Sequence, residues 1–236
     1  RGGGFGFHGA SVNVELRECE FRSNLASFGA GCSFQPSTGK TVIVDNCQFS
    51  NNAASQEAGS LNILSNGVTI TECTISEDSA PNYASLKIAN ISNFHIDGCT
   101  FSNLQSNNYI FRVYTPSSNP DLSFSSNTFQ NINSNSPDGG LGIEFQLKSN
   151  LEMLGCKITN CTSSSNSEVA QAQIVIDPTG RQYSGHLKLH YVEFDAESIE
   201  RPNQAGARAI FVNQGDGRFT KIVLDSCIFK NFNLHQ

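Results

Sequence analysis

The sequence predicts an all-β fold, a right-handed parallel β-helix solenoid of about eight coils with three short strands in each. Three observations predict it: an eightfold repeat, a variable spacing between its copies, and a strict alternation of apolar residues within them. The repeat reads apolar-x-apolar, two residues, then Cys-x-Phe. It occurs as VELRECEF (14–21), VIVDNCQF (42–49), VTITECTI (68–75), FHIDGCTF (94–101), LSFSSNTF (122–129), LEMLGCKI (151–158), LKLHYVEF (187–194) and IVLDSCIF (222–229). The register mark falls at Cys19, Cys47, Cys73, Cys99, Asn127, Cys156, Val192 and Cys227, in steps of 28, 26, 26, 28, 29, 36 and 35 residues. A β-coil tolerates such variation because insertions leave at its corners as loops.

Each element follows from the pattern. Val14 and Leu16 flank Glu15, and Val68 and Ile70 flank Thr69. This period of two gives a first strand with one buried face. The period restarts out of phase at Cys19 and Phe21, or Cys47 and Phe49, which predicts a bend and a second strand. A third strand supplies the inward pairs Cys32/Phe34, Leu61/Ile63, Leu86/Ile88 and Phe111/Val113, with Phe5/Phe7 one rung earlier. Gly29, Gly31, Gly59, Gly139, Gly140 and Gly206 precede third strands and suit corners that need positive φ. Asn24, Asn51, Asn52, Asn103, Asn131, Asn160 and Asn231 follow the Phe slot, where Asn tolerates the left-handed region and stacked amides can bond from rung to rung.

Composition bounds the function. The net charge is −6 with only 15 Lys and Arg in 236 residues, which argues against a nucleic-acid surface. No apolar run reaches membrane-spanning length. No linker divides the chain, so a single β-helix domain over residues 1–236 is expected, as a segment of a longer protein. Neither end shows a cap, so further coils or neighbouring chains are the expected partners, end to end.

Cys19, Cys47, Cys73, Cys99, Cys156 and Cys227 share one inward column, so free, buried thiols acting as small hydrophobes are expected rather than disulfides. Cys156 and Cys161 lack the further Cys or His of a zinc site, and no metal or cofactor is expected. Of two N-glycosylation sequons, Asn90 falls in a turn and is the glycosylation candidate, while Asn160 is expected to be buried and unmodified.

Outward positions of the first strand bring Asp45, Thr69, Thr71, His95 and Asp97 onto one face, and Lys188, His190 and Asp225 onto another part of it. Acids beside a His could bind a glycan or do acid–base work, although a plain solvated face has the same composition. The third strand's outward Lys87, Arg112 and Glu144 should stack as a charge ladder. A regular Thr column of the ice-binding kind is supplied only by Thr69 and Thr71. Polar inserts at 163–172 and 197–206 are candidate recognition loops.

The rung pattern resembles the right-handed parallel β-helix proteins of the pectin-lyase-like superfamily. Within them it is most similar to repeats of polymorphic outer-membrane proteins and surface adhesins, which carry Phe-x-x-Asn and Gly-Gly-Ala-Ile. Phe21 to Asn24 and Phe49 to Asn52 match the first motif, and Gly29 to Cys32, Gly59 to Leu61 and Gly139 to Leu141 approximate the second. That resemblance implies a non-enzymatic extracellular or cell-surface structural or adhesion protein, such as a surface-filament subunit. The Asn-x-Asp, Asp-Asp, Gly-His-Gly and Arg-Ile-Lys segments of polygalacturonases are missing; Gly185-His186-Leu187 is the nearest fragment. A polysaccharide-binding or polysaccharide-cleaving β-helix is the alternative, with glycans as partners.

Overall fold

A computed structural model describes residues 3–9, 11–36, 39–89, 91–114, 121–134, 139–146, 150–163, 172–179, 184–196, 208–212 and 218–232. Asn90, Gly206 and most of the two polar inserts lie outside these residues. The described strands form four parallel sheets, three of eight strands and one of six. The first sheet begins with Val14–Arg17 and the second with Glu20–Arg22. The third begins with Phe5–His8 followed by Cys32–Gln35. A short fourth sheet begins with Leu25–Phe28 and sits between the second and third within each coil. The expected three strands per coil are therefore corrected to four in six of the coils. The additional strand shrinks to two residues at Ser79–Ala80, Gln105–Ser106 and Asn133–Ser134, too short to produce a visible alternation.

Register stacks like on like. Val14, Val42, Val68, Phe94, Leu122, Leu151, Leu187 and Ile222 pair in succession along the first sheet. In the second sheet Phe21 stacks on Phe49 with centroids 5.0 Å apart, Phe101 on Phe129 at 5.1 Å and Phe194 on Phe229 at 5.2 Å. The rings are nearly parallel because identical rotamers repeat from coil to coil, and each pair adds about 1 kcal/mol beyond its buried area. The core is one continuous cluster running from Cys32 to Phe194, with a small alanine cluster of Ala30, Ala54 and Ala80 beneath the short sheet.

Two bends recur along the coils. The residue before each Cys slot is left-handed: Glu18, Asn46, Glu72, Gly98, Ser126, Gly155, Tyr191 and Ser226 have φ between 50° and 63°. This is the out-of-phase gap in the repeat. The second bend lies two residues after the Phe slot, at Ser23, Asn51, Glu77, Asn103, Asn131, Asn160 and Asn231. Asn24 and Asn52 are one residue further on and point inward, so the single expected Asn column resolves into two.

The corner glycines also divide. Gly29 is left-handed, but that slot is held by Ala58 and Tyr83 in the next coils. Gly31 and Gly59 are glycine for lack of space: a Cβ on Gly31 would lie 2.6 Å from the Ser60 carbonyl oxygen, and one on Gly59 2.5 Å from that of Ala84.

Candidate functional site

The first sheet's outer face places the five predicted residues in two neighbouring columns. Asp45, Thr71 and Asp97 are register partners on successive rungs, as are Thr69 and His95. All five are half-buried. Asp45 is held from both sides: Arg17 Nη1 donates to its Oδ2 at 2.5 Å and Thr71 Oγ1 to its Oδ1 at 2.6 Å. Arg17 also pairs with Glu15, and that hydrogen bond is the main reason its pKa is raised. The face thus offers a carboxylate engaged by its neighbours, with Asp97 and His95 two rungs on, beyond Thr71 and Thr69. Such an arrangement can hold hydroxyl groups or place an acid beside an imidazole.

Further along the same face His190 lies between two acids. Its Nδ1 is 3.3 Å from Asp225 Oδ2 and its Nε2 3.9 Å from Glu152 Oε1. Lys188 is the register partner of Glu152. On the third sheet the Lys87–Arg112–Glu144 order holds in the backbone register. Lys87, however, pairs across the corner with Glu57 and lies over the Phe28 ring, while Arg112 lies 5.1 Å over the Tyr83 ring. The corner reaches over the sheet and supplies these partners to Lys87 and Arg112.

The cysteine column faces the core, and all eight thiols are free. Cys47, Cys73, Cys99 and Cys156 are buried, and Cys19 and Cys227 are half-buried. Burial pushes the Cys47 and Cys156 thiols up to about 11 and Cys161 up to about 12. Raised so, these sulfurs favour the protonated thiol at neutral pH. Among the described residues no group of three or more His, Cys, Asp and Glu could hold a metal ion. Asn160 is half-buried at a left-handed corner rather than buried, because the corner turns its side chain away from the core while Cys161 enters it.

Sequence reasoning missed two features. The second sheet aligns Thr74, Thr100 and Thr128 beside Ser50, Ser76 and Ser102, a hydroxyl array outside the first-strand columns that were searched for Thr. The other is a buried acid, Asp78. Its Oδ1 accepts from the Asn52 backbone N–H at 2.6 Å and from Asn52 Nδ2 at 3.1 Å, and its Oδ2 accepts from Ser60 Oγ at 2.5 Å. Asn24 Nδ2 in turn donates to Asn52 Oδ1 at 2.9 Å. This inward polar ladder ends abruptly, since the next occupants of the slot are Leu104, Ile132 and Cys161. Burial raises the Asp78 pKa to about 6 against the pull of its three donors.

Parallel sheets wound around columns of stacked side chains define the class: a parallel β-solenoid. The chain belongs to the right-handed β-helix family, whose model, described as right handed beta helix region, matches residues 3–177. The pectin-lyase-like architecture expected from the rungs fits that family. Strand pairing continues beyond the match, as far as Ile228–Lys230. Comparison with curated proteins finds no match, and comparison with solved structures finds none.

Proposed function

We propose that this chain is a non-enzymatic structural or adhesion module of an extracellular or cell-surface protein, akin in build to the adhesin repeats its Phe-x-x-Asn corners resemble. The observation that carries this is how the outer polar groups are used. Arg17 pairs with Asp45, Glu57 with Lys87, and Glu193 with both Lys157 and Lys230, each pair joining different coils. Charges spent on tying coil to coil suit a rod that bears load or presents a surface. Individually such exposed pairs contribute only about 0.2–1 kcal/mol, so their value is in register rather than in stability. A polysaccharide-cleaving reading has one observation in its favour: Asp45, Thr71 and Asp97 occupy consecutive rungs with His95 alongside.

A reducing-end assay separates the two. The chain is incubated with polygalacturonate, alginate and neutral polysaccharides, and no new reducing ends or unsaturated products are expected. Turnover that is lost in Asp45→Asn or Asp97→Asn would overturn the proposal in favour of the enzyme.

A further inference from the structure

We infer that the short fourth sheet carries a binding groove for a neutral, extended glycan chain, separate from the Asp45–Asp97 face. The groove encloses about 340 Å³ and is open along one side. Its lining includes Ser79, Ala80, Pro81, Gln105, Asn107 and Asn133. Ser79, Gln105 and Asn133 are register partners on three successive coils. At the usual strand spacing they form a row about 10 Å long parallel to the solenoid axis.

Three properties of the groove select the ligand. None of its described lining residues is ionisable, so among them neither a phosphate backbone nor a polyuronide finds a counter-charge. Gln105, Asn107 and Asn133 are exposed, and their side-chain amides make no hydrogen bond with any described residue. An amide presents donors and an acceptor together, as a sugar hydroxyl does, so a row of amides matches a row of hydroxyls. The half-buried Pro81 ring offers apolar surface against which the C–H face of a sugar can lie.

A peptide is a poorer fit. An extended peptide gains affinity by adding a strand to free backbone groups. Here those groups are already engaged between coils: Ser79 N–H donates to the Asn52 carbonyl at 2.9 Å, Gln105 N–H to Asp78 at 3.2 Å, and Asn133 N–H to Leu104 at 2.9 Å. The groove wall is also braced rather than loose. Asn107 N–H donates to the Pro81 carbonyl at 3.1 Å, and Ser106 Oγ donates to the Tyr109 carbonyl at 3.1 Å. The cleft's volume lies within the ordinary range of a ligand site. The inference rests on the non-enzymatic reading only in expecting binding without turnover.

The test is titration of the chain with cello-, xylo-, malto- and chito-oligosaccharides of several lengths, with oligogalacturonates in parallel. At least one neutral series is expected to bind and to tighten as the oligomer lengthens across successive coils. Gln105→Ala combined with Asn133→Ala should weaken that binding about tenfold or more, the loss of a pair of hydrogen bonds. Ser79→Arg should block the groove outright. Gln48→Ala, exposed on the second sheet, should leave binding unchanged. All substituted side chains are exposed or half-buried, so folding is expected to survive, and unchanged far-ultraviolet circular dichroism verifies it. Absence of binding to every neutral series overturns the groove and leaves the non-enzymatic reading standing. Binding that survives Ser79→Arg, or that is confined to the acidic oligomers, also overturns it. Cleavage of a bound neutral oligomer removes the non-enzymatic reading and keeps the groove.

Discussion

Replacing Asp78 by Asn should stabilise the protein at neutral pH and do almost nothing in acid. The carboxyl is fully buried and its pKa is raised to about 6 by desolvation. An unfolded Asp titrates near 3.9, so the difference of about two units corresponds to about 3 kcal/mol. The sign follows from linkage. The folded state holds a proton that the unfolded chain releases, so Asp78 contributes its full stability below about pH 4, loses it as pH rises through about 6, and imposes the whole penalty above that. Asn reproduces the protonated acid: Oδ1 continues to accept both Asn52 donors, and Nδ2 can donate to Ser60 Oγ where the acid's O–H would. Urea denaturation of both proteins at pH 4.5 and pH 8 supplies the measurement. The variant should gain about 3 kcal/mol at pH 8 and only about 1 kcal/mol at pH 4.5, where the unfolded acid is already mostly ionised. Because solenoid coils contact only their neighbours, amide exchange at Asn52 and Ser79 should show the gain locally. An equal effect at both pH values, or a loss at pH 8, would refute the reasoning, since it would mean that the three donors outweigh desolvation.

Two further outcomes follow from the packing. Gly31→Ala should destabilise by about 1–3 kcal/mol, because its Cβ would press on backbone oxygen and on the Phe49 ring rather than on a side chain that can move away; thermal unfolding of the variant against its parent measures it. Cys73→Val should cost about 1–3 kcal/mol by leaving the Cys47 N–H without its sulfur acceptor at 3.4 Å, while Cys73→Asn should stay within about 1 kcal/mol of the parent in the same unfolding assay.

The main architecture was legible in the sequence because a solenoid writes one structural slot many times. Val14 alone says little, but eight apolar residues in its slot fix a column, and with it the phase of every outward residue, including Asp45 and Asp97. What could not be read was whatever does not alternate or does not repeat. The fourth sheet falls to two residues per coil, below the length at which period two can be recognised. The Glu57 partner of Lys87 sits on a corner whose reach over the third sheet is not encoded in strand periodicity. Asp78 sits in a slot otherwise held by Asn, Leu, Ile and Cys, and a single acid there looks like any polar corner residue until its burial is known.

Asn127 shows what the cysteine slot requires. The bend before the slot turns a backbone N–H toward the next coil, where it meets a side chain. Cys19 N–H finds Cys47 Sγ at 3.5 Å, Cys47 finds Cys73 at 3.4 Å, and Cys73 finds Cys99 at 3.3 Å. Cys99 finds Asn127 Oδ1 instead, at 2.9 Å. The donor side is equally conserved in geometry: Cys99 Sγ donates to the Ile70 carbonyl at 3.6 Å, and Asn127 Nδ2 donates to the Ile96 carbonyl at 2.9 Å. From Cys47 to Asn127 the slot therefore holds a compact side chain that both accepts and donates, a thiol or an amide, while Val192 fills the same slot by packing alone. That is why an apparently polar break at Asn127 interrupts neither the column nor the core, and why the six cysteines of the column call for no redox or metal chemistry to account for them.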